Sequence, residues 1–219
     1  MRGIAVGACV AVCAVACGSQ PAQAPTTQST TTPAAATINP ARIDRVRHDL
    51  PAGYESGVLD QRATPISLWG LRSEWVAEPE QCAALAAPGV DPATSRGWSA
   101  SGPGGIVYAA VARVTAPPDP ALAGQCGQWS INGGRTSGEV TALDAPAIDA
   151  ATTTGMAAEL TTVVEGGTET HTHADTFTAD LGDYHCYVTV VTDPGSPNPA
   201  LGADVAADLL VKTVSALRG

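Results

Sequence analysis

The chain has 219 residues, 44% of them hydrophobic and 15% charged, which is enough apolar content for one core in a domain of about 150 to 200 residues. With 21 Asp and Glu against 11 Lys and Arg the formal net charge is −10, so most of the surface repels a phosphate backbone or an anionic bilayer, and no nucleic acid is expected as a partner. Arg42, Arg45 and Arg47 make a local basic cluster, but Asp44 and Asp49 interrupt it and it reads as a solvated helix face.

The first element is an uncharged run from Gly3 to Ala16 behind Arg2. At about 1.5 Å per residue it is too short for hydrocarbon, which needs about 20 residues, and it reads as an export signal over residues 1–16. It ends in Ala14-Val15-Ala16-Cys17 followed by Gly18-Ser19, small residues before a cysteine, and this resembles the lipobox of bacterial lipoproteins. The resemblance implies cleavage before Cys17, a diacylglyceryl group on its sulfur and an acyl chain such as palmitate on the new amino terminus. Cys9 and Cys13 then leave with the leader, and the chain is exported and lipid-anchored to the outer face of the cell membrane. The plain alternative is a secretory leader cut after Ala14-Val15-Ala16. Residues 17–39, with "PAQAPTTQSTTTPAAAT" and Ile38 as the one large aliphatic, cannot bury a core and read as a flexible tether. Such a tether spans about 25 Å as a coil and about 70 Å fully extended.

Residues 40–219 form the expected domain. Asn39 caps a helix that Pro40 opens, with Ile43, Val46 and Leu50 on one side before Pro51 stops it. Short helices are expected at "EPEQCAALAAP" and "APAIDAA". Strands are expected at "GGIVYAAVARV", "SGEVTAL" and in three segments of "AELTTVVEGGTETHTHADTFTADLGDYHCYVTVV", with turns at Gly166-Gly167 and Leu181-Gly182. The glycines of "RGWSASGPGG" read as a mobile lead-in to a strand. At the C-terminus Asn198 caps, Pro199 opens, and Leu201, Val205, Leu209, Leu210, Val214 and Leu217 give a helix an apolar stripe that must dock. The fold class is therefore α+β: a single domain with a twisted antiparallel sheet on which N- and C-terminal helices pack.

Beyond the anchor the cysteines are Cys82, Cys126 and Cys186, in a compartment that permits oxidation. One pair and one thiol allow three arrangements. The expected pair is Cys82 with Cys126, because alternation in "YHCYVTVV" makes Cys186 a small apolar strand residue. Closing that loop stabilises by roughly 4 to 5 kcal/mol in the chain-entropy view.

The polar cluster "ETHTHAD" puts Glu169, His171, His173 and Asp175 on one strand face. Glu169, His171 and His173 form a two-His, one-carboxylate candidate for a metal, set against a solvated sheet face. With the turn at Leu181-Gly182, His185 pairs near Thr178 and His173 near Val190, about 15 to 20 Å apart along the sheet, so His185 is not expected to join. "RGWSASG" lacks the final glycine of a nucleophile elbow, and Gly102-Pro103-Gly104 runs into a strand where a dinucleotide loop needs a helix. "VVEGGTE" is a hairpin turn flanked by carboxylates. No catalytic residue and no cofactor is expected. Most of the four tryptophans, Trp69, Trp75, Trp98 and Trp129, read as core or half-buried supports around the disulfide with held indole N–H groups, and Trp69 and Trp75 are the candidates for a ligand groove.

From Ile38 to Gly219 the chain resembles a family of mycobacterial lipoproteins carrying a domain of unknown function. The resemblance lies in "LPAGYESGVLDQRATPISLWGL", "CAALAAP", "RGWSASGPGGIVYAAVARV", "VVEGGTETHTHADTFTADLGDY" and "VTVVTDPGSPNPALGADVAADLLVKTVSALRG". It implies no catalytic residues. More distantly the order of elements is similar to the extracellular sensor domain of a mycobacterial receptor serine/threonine kinase, which implies a twisted antiparallel sheet with a cleft. That domain has two disulfides, where Cys82 and Cys126 supply one. The expected function is a non-catalytic binding or sensing module for an envelope ligand or component, at the membrane through its lipid. The alternatives are a metal-dependent envelope enzyme using the two-His, one-Glu site and a structural partner of another envelope protein.

Overall fold

The computed structural model of the chain describes residues 37–71, 74–116, 118–192 and 195–219; the expected export signal, the Cys17 anchor and the tether up to residue 36 lie outside the described residues. Asn39 caps as expected, its side chain accepting a hydrogen bond from the Ala41 N–H at 3.1 Å, and Pro40–Asp49 winds as a 3₁₀ helix that buries Ile43 and Val46. There follow β1 (Glu55–Val58), α1 (Pro65–Leu68), β2 (Trp75–Glu78), a 3₁₀ turn at Glu80–Cys82 that runs into α2 (Ala83–Ala86), β3 (Arg96–Gly102) and β4 (Gly105–Arg113). The second half holds α3 (Leu122–Gln125), β5 (Gln128–Gly133), β6 (Thr136–Leu143), β7 (Thr152–Val163), β8 (Glu169–Leu181), β9 (Tyr184–Thr192) and α4 (Ala203–Arg218).

The strands form one nine-stranded antiparallel sheet in the order β1-β3-β4-β9-β8-β7-β6-β5-β2. It is open, and its two edges are four-residue strands on which Val58 and Val76 are exposed. Short edges limit pairing with other chains. Alternation divides the side chains between two cores. On one face α4, through Leu209, Leu210, Val214 and Leu217, and the first 3₁₀ helix cover Trp98, Val107, Phe177, Cys186 and Val188. Each of those four helix residues contributes roughly 2 kcal/mol by leaving water. Buried Trp98 ties this layer together, since its indole N–H donates to the Ile43 carbonyl at 3.1 Å.

On the other face Ile66, Trp69, Leu71 and Leu122 lie over Trp129, Ile131, Val140, Met156 and Leu160. The expected disulfide is here. Cys82 and Cys126 are joined with Cα atoms 5.7 Å apart, and Cys186 is free and buried in the first core.

Four local expectations are corrected. The "APAIDAA" stretch is not helical; it crosses the end of the first core in an irregular path, with Ile148 packed inward and the Thr153 hydroxyl donating to the Pro146 carbonyl. The last helix starts at Ala203 behind Gly202, because the Leu201 N–H donates to the Gly104 carbonyl and so holds the preceding segment against the β3–β4 turn. "RGWSASG" is strand β3, where a Cβ on Gly97 would meet the Ala109 carbonyl oxygen at 2.5 Å; this glycine serves close strand approach. The β8–β9 turn is Gly182-Asp183 with Leu181 and Tyr184 as the last pair, Gly182 taking a φ of 67° that other residues avoid. Asp180 therefore faces His185, Thr178 faces Tyr187, and His173 faces Thr192.

Candidate functional site

The residues singled out from sequence fall into three places. Glu169, His171 and His173 share a face of β8, but strand pairing spreads them beside Val163, Thr161 and Glu159 of β7. The His171 ring is 3.2 Å from the Thr161 hydroxyl, and His173 is held at both nitrogens, Nδ1 2.6 Å from Glu159 and Nε2 3.0 Å from Asp175. A ring with a carboxylate on each nitrogen is a twofold donor, an imidazolium with no lone pair for a metal. Among the described residues no group of three or more His, Cys, Asp and Glu is placed to hold a metal ion. The hydrogen bond to Asp175, followed by that to Glu159 and the charges of both, outweighs burial and raises the His173 pKa to about 9. Asp175 itself keeps only 5% of its side-chain surface. The cluster joins the polar part of this face to the first core and reads as a structural ion triad.

The groove expected at Trp69 and Trp75 is not formed. Trp69 is buried, its indole N–H donating to the Thr176 hydroxyl at 3.0 Å and its ring tilted against Trp129 at 6.4 Å; it supports the second core. Trp75 is half-buried at the β2 edge, packed on the same core. The indole N–H of Trp98 is held as expected, whereas that of Trp129 has no partner.

The concave site lies elsewhere, on the face away from α4. A cavity of about 370 Å³ is walled by Leu85 of α2 and Leu122 and Ala123 of α3. Val114 and Ala116, just after β4, close one side, and the isolated bridge between Val90 and Val114 braces it. The floor is Thr154 of β7, Thr178 and Asp180 of β8 and His185 of β9. Cys82 immediately precedes α2 and Cys126 immediately follows α3, so the disulfide holds the two walling helices to each other.

His185 is the chemical feature of this cavity. It is 7% exposed, its Nδ1 lies 2.7 Å from Asp180 Oδ1, and its Nε2 is buried with no hydrogen-bond partner. A carboxylate only accepts, so Nδ1 carries the proton, and in the neutral ring Nε2 is left with a lone pair. Leaving such an atom unpaired away from water costs about 1 to 3 kcal/mol, which a bound molecule with a suitable polar group recovers. The other nucleophile-type group nearby in sequence, Cys186, points to the opposite face, and burial pushes its thiol up to about 12.

Sequence reasoning set His185 aside and did not weigh Asp180. The signal was present in "DLGDYH": with a two-residue turn at Gly182-Asp183, Asp180 and His185 are cross-strand neighbours on one face. Placing the turn one residue earlier shifts the pairing by two residues, setting His185 against Thr178 in place of Asp180, and so hides the pair.

An open antiparallel sheet with a helical layer on one face and a disulfide-braced cavity on the other defines the chain as a single α+β domain. It belongs to the family described as a domain of unknown function, DUF5642, whose model matches residues 39–218. Among solved structures it is similar to an uncharacterised protein from Mycobacterium smegmatis, an ortholog of Rv0999. The identity is 19% over 84% of this chain and 98% of that one, with a TM-score of 0.58. It is also similar to the extracellular domain of PknH from Mycobacterium tuberculosis, at 13% identity over 83% of this chain and 93% of that one, with a TM-score of 0.40. No curated protein matches the chain. Among the described residues, no helix is long and apolar enough to cross a membrane.

Proposed function

We propose that this protein is a non-catalytic binding module of the cell envelope, exported and held at the outer face of the membrane by lipid on Cys17, and that its ligand is a small apolar molecule taken into the cavity over His185. The observation that carries the reading is the cavity itself: about 370 Å³, mostly apolar, and lined in part by His185, whose buried Nε2 nothing in the protein satisfies. Pockets for small molecules combine these features, a greasy lining and a few placed polar groups. Binding is favoured over catalysis because the free thiol Cys186 lies on the other face of the sheet with its proton retained by burial, so the His185–Asp180 pair has no thiol to activate. A tether of about 25 Å keeps the domain near the bilayer and raises its effective concentration there.

Two outcomes follow. Ala123→Trp, at a half-buried position of α3 that lines the cavity, fills it and weakens uptake of the neutral dye Nile red by at least about tenfold while the melting temperature moves by no more than about 2 °C. Dye binding unchanged in that variant removes the cavity from consideration. Cys17→Ala leaves the protein in the culture fluid, measured by immunoblot of pellet and supernatant, and continued retention with the cells refutes the anchor.

A further inference from the structure

Resting on the reading of the cavity as a ligand site, we infer that its ligand is an apolar alcohol, a molecule whose hydrocarbon part fills the space between α2 and α3 and whose hydroxyl donates to His185 Nε2. The donor character follows from Asp180. Because its carboxylate takes the Nδ1 proton at 2.7 Å, the neutral ring has its lone pair on the nitrogen left without a partner, and that nitrogen accepts. Sign of charge follows from the rest of the lining. A ligand carboxylate or phosphate would meet Asp180 on the floor and Asp119 at the rim, two groups of its own sign. A cationic amine would have to shed its water against Leu85, Val114 and Leu122, and both carboxylates are already engaged, Asp180 by His185 and Asp119 by the Ala121 N–H at 2.9 Å. A neutral hydroxyl carries neither penalty. It also accepts, and Thr154 and Thr178 bring hydroxyls to the same floor.

The test compares three probes of one chain length on the native protein at pH 7.5: 1-octanol, methyl octyl ether and octanoate, each measured by displacement of Nile red and by calorimetry. A site built around a buried acceptor discriminates strongly against a ligand that lacks the donor. The expected result is that octanol binds at least about tenfold more tightly than either of the others, and that His185→Phe binds octanol and the ether alike. Ether or octanoate binding as tightly as octanol to the native chain overturns the inference, as does a preference for octanol that survives in His185→Phe. Should that variant not fold, the native series decides alone. If none of the three binds or displaces the dye, the cavity reading itself falls, a result distinct from binding without preference for the alcohol.

Discussion

Replacing Cys82 and Cys126 together by alanine lowers the stability of the domain by roughly 4 kcal/mol and abolishes uptake of apolar ligands. The first part follows from loop closure: the bridge joins residues 44 apart in sequence, and a loop of that length restricts the unfolded chain by about this much. For a domain of this size the melting temperature falls by about 8 to 16 °C. The second part follows from position. Helices α2 and α3 are four residues each, too short to hold themselves, and their mutual placement rests on the bridge at their adjoining ends and on Ala86 and Leu122 packed into the core. With the bridge gone, the Leu85, Leu122 and Ala123 wall is free to separate from the sheet before the sheet itself unfolds, so dye binding is lost at temperatures where circular dichroism still reports the strands. Thermal melts of the double variant and of the native protein under reductant measure the first effect, and fluorescence titration the second. A double variant that melts within about 2 °C of the native chain would show that the bridge constrains little.

Stability declines by about 2 to 3 kcal/mol between pH 6 and pH 9, and His173 is the group responsible. Its pKa in the fold is about 9, against 6.5 for an unperturbed ring, because Asp175 and then Glu159 hold the charged form. A group whose pKa is raised by folding stabilises fully below its unfolded value and loses that contribution as pH rises through the folded one, which places the decline between about 6.5 and 9. The whole shift corresponds to about 3 kcal/mol, and the ring keeps 28% of its side-chain surface in water, so the lower part of the range is the better figure. Cys186, raised by burial from 9.0 to about 12, weakens the fold only above that window. Urea denaturation across pH 6 to 9 measures the slope. In His173→Gln the domain is less stable at pH 6, because Asp175 stays buried without its partner, and the slope over the window disappears. A native curve that is flat, or a variant curve that keeps the native slope, contradicts this assignment.

Local chemistry made much of the fold legible. Asn39-Pro40 marks a helix start, Gly166-Gly167 a hairpin, and the alternation in "HADTFTADL" and "YHCYVTVV" separates two faces that the sheet does bury differently. The cysteine pairing was legible for the same reason: Cys186 alternates with residues of the other face, which left Cys82 and Cys126 for each other. Less legible were β1, β3 and β5, where Gly, Ser and Asn dilute the apolar rhythm, and the four-residue β2; strand formation in all of them depends on a neighbour already in place. The helix expected at "APAIDAA" fails on similar grounds, since Ile148 is drawn into the core by contacts with the sheet that outweigh local propensity.

Of the site, the sequence by itself determined which residue types were available and which faces of β8 and β9 they occupy, because side-chain direction in a strand depends only on the neighbouring backbone. Tertiary structure alone decided the register that sets Asp180 against His185, the burial that takes Trp69 out of any groove, and the carboxylates that claim both nitrogens of His173. It also decided the cavity, whose walls come from residues as far apart as Leu85 and His185. Preferences that act over a few residues carry no information about which distant segments meet; that is settled by strand pairing and by the apolar surface each layer must cover.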